Sequence, residues 1–424
     1  MDAAYNLAQA MTDLAEMLED LEGDARAEEI RRLREEARTV LEMVLQGQEE
    51  YLRLTTEAVD VEAAEEAVDE VEGGAEMDMD DPPGDEGDAT TTYETHLPTP
   101  SALLDTALAL IDIHLSLWES TVPSRTPTNS EQSVVRSVLD RAAATTPPGR
   151  QAELDLAEIK VLLSMDGIVW DLFKSEARIG TGVEKSLEGA VAALEALLTS
   201  LDVYPPDEQT VRTDILTTLA DTHSTIASRL LFLTPQLPPG PSPLAQQAWF
   251  HFSQAVTRLS TALDLPTSAS TPRLFKTSVL LSLSKASLSR AKLAELNETA
   301  QRNASQLMEN ATTYSARASE ALGRNATTLP YPAGWVAELI ARNTALQQLR
   351  VCFYGSKPDL VADAKERYAS RAVGILERLK GVRDEERRVR SADVERWITE
   401  IQEEGGMEDE EREWWKEVAA GLGE

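Results

Sequence analysis

The chain has little of several residue types, and each scarcity excludes a class of structure or function. Cys352 is the only cysteine among 424 residues, so no intrachain disulfide can form. The four histidines are scattered without the spacing of a zinc site. Lys and Arg number 40 against 74 Asp and Glu, a formal net charge of −34. Because phosphate contacts need clustered cations, this balance argues against direct nucleic-acid binding and against an anionic membrane, and it favours a basic protein partner.

The sequence also lacks a long uninterrupted apolar run. The longest stretch without charge, residues 230–257, contains five prolines, a density that no membrane helix tolerates. Residues 1–30 show no basic start followed by an apolar segment, so no secretory signal is expected. Together with the single cysteine, these features predict a protein of the cytoplasm and nucleus that makes no contact with a membrane.

The acidity is concentrated at the two ends. Residues 1–100 carry 30 acidic and 6 basic side chains and residues 384–424 carry 15 and 6, whereas 101–383 is nearly neutral. Residues 57–88 hold 15 acidic side chains and no Lys or Arg, and their second half has paired Gly and paired Pro. That second half cannot bury enough apolar surface to fold, so about 73–98 is predicted to be a disordered loop, either capturing a basic segment or acting as a solvated spacer. Its candidate binding residues are Asp78, Asp80, Asp81, Asp85 and Glu86.

The rest of the chain has the periodicity of helices. Apolar residues recur at three- and four-residue spacing, and clusters of Pro and Gly separate the periodic segments. Apolar stripes run through 5–18, 33–54 and 104–118. Further helices are predicted over 151–177, 184–201, 207–233, 243–264, 272–296, 299–323, 332–353, 359–381 and 386–403, with a short one near 134–143. The sequence therefore predicts an all-α fold.

Alternate helices share a pattern of small and large residues. A small residue, a large apolar one four later and a second small one occur at Ala248, Phe252 and Ala255, and again from Ala304. Looser versions start at residues 190 and 364, so the starts are 58, 56 and 60 residues apart. This pattern resembles the second helix of a tetratricopeptide repeat, where small residues allow close helix approach. The predicted fold is a tetratricopeptide-like superhelical solenoid of antiparallel helix pairs with an acidic disordered insert; the alternative is a generic stack of helical hairpins.

These patterns divide the chain into four predicted parts. They are an N-terminal helical repeat (1–58), the acidic disordered insert (59–98), a helical-repeat solenoid (99–383) and an acidic C-terminal capping helix and tail (384–424).

No combination of residues indicates an enzyme. Residues 180–186 (GTGVEKS) have the outline of a phosphate loop but lack the glycine required at 184 and follow a helix. Asp221 and His223 are two positions apart on a helix and therefore face different sides. Cys352 lies in an apolar helix and is predicted to be a buried core residue, and His251 is predicted to be structural. We therefore expect no catalytic residue, no metal and no cofactor.

Three segments together resemble one protein family. They are AAYNLAQAMTDLAEMLEDLEG (3–23), VLQGQEEYLRL (44–54) and, after the acidic insert, LLDTALALIDIHLSLW (103–118). They are similar to the fungal tetratricopeptide-repeat assembly chaperones of large-subunit ribosomal protein four. The resemblance implies a dedicated chaperone that binds this basic protein during or soon after synthesis, shields its basic extension and escorts it to the pre-ribosome. Two features depart from the family: the neutral middle of the chain, and a start inside a helix, which suggests that an upstream repeat is missing.

A curved solenoid of this kind offers a groove where carboxylates can pair with Lys and Arg of an extended client. The first helix of each pair lines that groove. The candidate client-binding residues on such helices are Asp155, Glu158, Asp166, Asp171, Asp214 and Asp221. The protein is expected to act as a monomer.

Two alternatives stay open. A heat-shock co-chaperone adaptor would clamp an acidic peptide with cations, for which Lys285, Arg290, Arg342 and Asn343 are available. A scaffold subunit would use apolar anchors, for which the three tryptophans near the C-terminus are available, although capping of the last apolar face accounts for them as well.

Overall fold

The computed structural model of the chain confirms the all-α prediction. It describes residues 2–69, 97–120, 125–176, 184–201, 209–233, 242–266, 274–325, 333–357, 360–361, 364–381, 389–403 and 407–422. Within these ranges there are fourteen α-helices and no strand. In chain order the helices are α1 (Asp2–Glu22), α2 (Ala27–Asp69), α3 (Pro100–Glu119), α4 (Asn129–Thr145), α5 (Gln151–Glu176), α6 (Glu184–Ser200), α7 (Gln209–Leu233), α8 (Pro243–Asp264), α9 (Phe275–Lys292), α10 (Glu298–Asn325), α11 (Ala333–Gly355), α12 (Lys365–Lys380), α13 (Ser391–Glu403) and α14 (Asp409–Leu422).

Most helix limits agree with the sequence prediction to within a few residues, but α4 begins five residues before its predicted start at 134. α12 begins six residues and α13 five residues after the predicted starts, and the Trp-bearing end of the chain forms α14. α2 continues through Asp69, so residues 59–69 are helical although the sequence placed the start of the disordered insert there. The remainder of that predicted insert, 70–96, lies outside the described residues.

Polar residues and prolines determine where several helices begin. The amide of Ala102 donates to the Thr99 hydroxyl oxygen at 3.1 Å, and Pro100 occupies the first position of α3. The start of α4 is a capping box, in which Thr128 and Glu131 satisfy each other's backbone amides. Such caps supply acceptors for amides that have no partner inside the helix, which is why the Ser, Thr and Pro clusters of the sequence coincide with helix starts.

The first of two compact units comprises Met1–Leu172. α1 packs on α2, α2 on α3 and α3 on α4. Their core includes Leu41 and Leu45 of α2 and Leu104 and Ile111 of α3, all fully buried. α5 joins this core through Leu154, which belongs to the same apolar cluster.

The second unit comprises Phe173–Glu424 and consists of helices that pack on their sequence neighbours. The pairs from α6–α7 through α11–α12 all make such contacts, an arrangement compatible with a helical solenoid. The small and large residues of the repeated pattern are buried at every one of its four occurrences: Ala190, Leu194, Leu197, Ala248, Phe252, Ala255, Ala304, Met308, Ala311, Ala364 and Tyr368. At the last occurrence, a Cβ atom on Gly355 of α11 would lie 2.6 Å from the Tyr368 ring of α12, so glycine is what permits this approach.

The C-terminal helices complete the core of the second unit. α13 packs on α11 and α14, and α14 packs on α12. Trp397 of α13 and Trp415 of α14 are buried in the same cluster as Tyr354 of α11. These two tryptophans therefore cap the last helix pairs, which removes them as anchors for an outside partner.

Candidate functional site

The exposed face of α5 brings together three of the acidic residues selected from the sequence. Asp155, Glu158 and Asp166 fall within about 80° of arc when successive residues are placed 100° apart around the helix. Glu158 is exposed, while Asp155 and Asp166 are half-buried. The Asp155 carboxylate accepts a hydrogen bond from the Gln151 side-chain amide at 2.8 Å, which holds it on this face.

Two apolar side chains share that face. Leu162 is 62% exposed and Val169 is 46% exposed, and their seven-residue spacing places them on one line along α5. They lie within the arc of Asp155, Glu158 and Asp166. We refer to these five residues as the α5 face. It combines apolar area with negative charge, a combination that suits an extended segment with alternating basic and apolar side chains. The sequence argument missed Leu162 and Val169, because periodicity alone does not show which apolar residues of a helix stay uncovered.

The other acidic candidates occupy different places. Asp171 is exposed, but 16 positions from Asp155 it lies about 160° around α5 and is not part of the α5 face. Asp214 and Asp221 are exposed on α7 in the second unit, seven residues apart and therefore on one side of the helix. Phe232, 18 residues after Asp214, lies on the same line and is also exposed. The structure thus pairs acidic and apolar exposed residues on α5 and again on α7.

The remaining candidates, Asp78, Asp80, Asp81, Asp85 and Glu86, all lie outside the described residues.

The cations available for an acidic-peptide clamp are engaged inside the protein. Arg342 of α11 pairs with Asp393 of α13. The Arg290 guanidinium stacks 4.2 Å from the Trp249 ring centroid, and the Lys285 ammonium lies 5.3 Å from the Trp397 ring centroid. The ion pair offsets the charge of Arg342, and the aromatic rings cover one face of Arg290 and of Lys285, so these contacts compete with an acidic ligand.

A buried polar cluster joins α14 to α9 and α11. The Glu411 side chain is 0% exposed and accepts hydrogen bonds from Arg350 Nε at 2.7 Å, from the Tyr354 hydroxyl at 2.6 Å and from Trp415 Nε1 at 3.3 Å. The Lys292 ammonium lies 3.9 Å away. Burial alone would raise the pKa of Glu411, but Arg350 and Lys292 outweigh it and hold that pKa below the usual carboxyl value. Burial and the Arg350 charge lower the pKa of Lys292 to about 8.

A histidine pair is a second feature that the sequence did not reveal. His223 of α7 and His251 of α8 are 28 residues apart, yet their Nδ1 atoms are 3.0 Å apart. Burial is the largest cause that lowers both pKa values, that of His223 to about 4, and the neighbouring His251 lowers it further. Two neutral rings can share one hydrogen bond in this arrangement, whereas protonation of both would place two donors against each other.

The structure also bears on the sequence interpretations of Cys352, of metal binding and of membrane-spanning helices. Cys352 is buried and burial raises its pKa to about 11, which confirms it as a core residue. In the part of the chain that the structure describes, no group of three or more His, Cys, Asp or Glu could hold a metal ion. Over the same part, one helix, α3, is long and apolar enough to cross a membrane, and 56% of its apolar window is buried in the fold, as is typical of a core helix.

Comparisons with known proteins identify no relative. No protein-family model, no curated protein and no solved structure matches the chain significantly.

Proposed function

We propose that this protein is a non-enzymatic, tetratricopeptide-like chaperone that binds and shields an extended basic segment of a client protein. The α5 face is the observation that supports the proposal most directly. It offers exposed apolar area on Leu162 and Val169 and carboxylates at Asp155 and Glu158 within the same arc. A net charge of −34 adds a long-range attraction for a basic client that speeds association.

The proposed client is a basic ribosomal protein of the large subunit, ribosomal protein four, escorted from the cytoplasm to the nuclear pre-ribosome. The resemblance of residues 3–23, 44–54 and 103–118 to the dedicated chaperones of that protein supports this choice. The client's basic extension would contact the α5 face, with the acidic residues of 70–96 contributing to its capture.

The competing adaptor function has less support. A clamp for an acidic peptide needs cations that are available to the ligand, and Arg342, Arg290 and Lys285 already contact Asp393, Trp249 and Trp397. The buried positions of Trp397 and Trp415 weigh in the same way against a scaffold held by C-terminal tryptophans.

Binding of a basic peptide tests the α5 face. The probe is a synthetic 20-residue peptide in which Lys or Arg alternates with Leu or Val, and fluorescence anisotropy measures its affinity from 50 to 300 mM salt. The triple variant Asp155→Asn, Glu158→Gln, Asp166→Asn should bind about 10- to 100-fold more weakly at low salt, because three charge pairs are lost. Leu162→Gln should weaken binding about as much at high salt as at low salt, because its contribution is apolar.

The matched control removes the same charge elsewhere. Glu298, Glu309 and Glu320 are exposed on α10 at eleven-residue spacing, so they also form one line. Their replacement by Gln should change the affinity less than twofold. Equal weakening by both triple variants would show that only net charge matters and would refute the α5 face as a site.

The identity of the client needs a separate experiment. Affinity purification of the whole protein at low salt, followed by mass spectrometry, should recover a single basic ribosomal protein in near-equal amount that raised salt releases. Recovery of heat-shock chaperones, or of neutral partners that salt does not release, would refute the chaperone function and favour an adaptor or scaffold.

A further inference from the structure

α1 has two different apolar sides. Ala8, Ala15 and Leu18 are buried where α1 packs on α2. Leu7, Leu14 and Leu21 are 50%, 40% and 42% exposed. The buried set is explained by the fold, whereas nothing in the first unit's core requires the exposed set.

The exposed leucines recur every seven residues, the spacing of one core position in a coiled coil. Ala3 and Ala10 are also exposed and precede Leu7 and Leu14 by four residues, which is the second position of the same heptad. We call Ala3, Leu7, Ala10, Leu14 and Leu21 the α1 stripe. Three leucines over four turns of one surface helix form a continuous apolar strip, and exposed strips of this kind mark docking sites more often than isolated exposed leucines do.

Carboxylates border the α1 stripe on the side away from α2. α1 contains no Lys or Arg. Asp2 and Asp13 lie along this border and form no ion pair with any residue that the structure describes. By contrast, Glu19 and Glu22, on the side towards α2, pair with Arg34 and Arg26.

The charge of Asp13 is also felt on the far side of α1. The pKa of Glu16, which faces away from the leucines, is raised first by burial and then by the charge of Asp13, with further contributions from Asp20 and Glu19 that Arg34 opposes only in part. A cation placed beside Asp13 would relieve this repulsion, so the border favours a positively charged neighbour.

We propose that the α1 stripe docks an amphipathic helix of another protein, with apolar residues at heptad spacing and a flank of Lys or Arg. The leucines pack against the apolar positions of that helix, and Asp2 and Asp13 pair with its basic flank. A second copy of this chain is disfavoured as the occupant, because pairing two α1 helices would bring their acidic borders together. The proposal does not depend on the proposed function, since the α5 face belongs to a different helix.

Two designed peptides test the proposal against the full-length protein. Both are 21-residue helices with Leu and Ile at heptad core positions, one with Lys and Arg at the flanking positions and one with Glu there. Fluorescence anisotropy should detect binding of the basic helix at micromolar concentration and none of the acidic helix. The double variant Leu7→Gln, Leu14→Gln should weaken this binding about tenfold or more, because it removes two central apolar contacts. Asp2→Asn with Asp13→Asn should weaken it about threefold at low salt.

Control variants separate this surface from other effects. Val373→Gln on α12 removes a side chain that is 54% exposed and should leave the affinity unchanged. The α5 triple variant should also bind the basic helix normally. Its loss of binding would move the site to α5 and overturn the proposal. Equal binding of the acidic helix, or no binding of either, would do the same. A concentration-dependent dimer in sedimentation that Leu14→Gln abolishes would overturn the choice of occupant.

Discussion

At the C-terminal end of the protein, stability should be most sensitive to replacement of the buried carboxylate of Glu411. The Glu411→Gln change keeps the side chain's size and removes its charge. Arg350 and Lys292 then lose the buried counter-charge at Glu411, and their own side chains are only 6% and 15% exposed. Removing one partner of a buried ion pair costs about 3–5 kcal/mol, because an uncompensated charge stays out of water. Since the pKa of Lys292 is already about 8, this lysine is expected to lose its proton in the variant, which lowers the cost towards 3 kcal/mol.

The loss should appear as local opening of α14. Hydrogen exchange of 409–422 should become about 100-fold faster or more, since 3 kcal/mol corresponds to a factor of more than 100 in an opening equilibrium. Urea unfolding followed by the fluorescence of Trp414 and Trp415 should show an earlier transition. Glu410→Gln is the control, because that side chain is 80% exposed and its pair with Lys357 contributes about 0–1 kcal/mol.

Two further results decide whether the loss of the Glu411 ion pairs causes the loss of stability. Arg350→Met in the Glu411→Gln background should recover part of the lost stability, because the guanidinium that lost the Glu411 carboxylate is then removed as well. The pKa of Glu411 is lowered in the fold, so its contribution is complete above about pH 5 and is lost as the pH falls through that lowered value. The variant should therefore have a flatter stability profile in acid. A loss below 1 kcal/mol, or strictly additive double variants, would refute the role assigned to Glu411.

Two other predictions concern packing and pH. Gly355→Ala should destabilise the α11–α12 pair by about 1–3 kcal/mol, because its Cβ would overlap the Tyr368 ring. Gly374→Ala, whose Cβ would meet nothing within 4 Å, should instead stabilise α12 by up to about 1 kcal/mol. Thermal unfolding compares the two variants, and equal shifts of the unfolding temperature would contradict the close approach of Gly355 to Tyr368. The pKa of His223 is lowered to about 4, and that of His251 is also lowered. The unfolded chain therefore binds more protons between about pH 4 and pH 6.5, and the shift at His223 should lower stability by on the order of 3 kcal/mol as the pH drops through that window. His223→Gln should remove most of this dependence, and an unchanged profile in hydrogen exchange of α7 and α8 would contradict the pairing.

The local pattern of apolar residues in the sequence was sufficient to predict the helices. Ala248, Phe252 and Ala255 show why: burial along a helix repeats every three or four residues, so a periodic apolar face is visible before any neighbour is known. Pro, Ser and Thr at the helix starts act on the nearest amides and are equally local. The acidic candidates on α5 and α7 came from the assignment of these helices as the first helices of predicted pairs, and their role in binding stays a prediction.

Contacts between distant residues depended on the tertiary structure. Glu411 lies in a strongly acidic segment, yet it is fully buried because Arg350, 61 residues earlier, lies opposite it once α14 packs on the core. His223 and His251 meet only because α7 and α8 form a pair. Leu162 on α5 and Leu14 on α1 are as apolar as their buried neighbours. Which apolar face of a helix stays exposed depends on the helices that pack around it, and a helix's own sequence does not encode those neighbours.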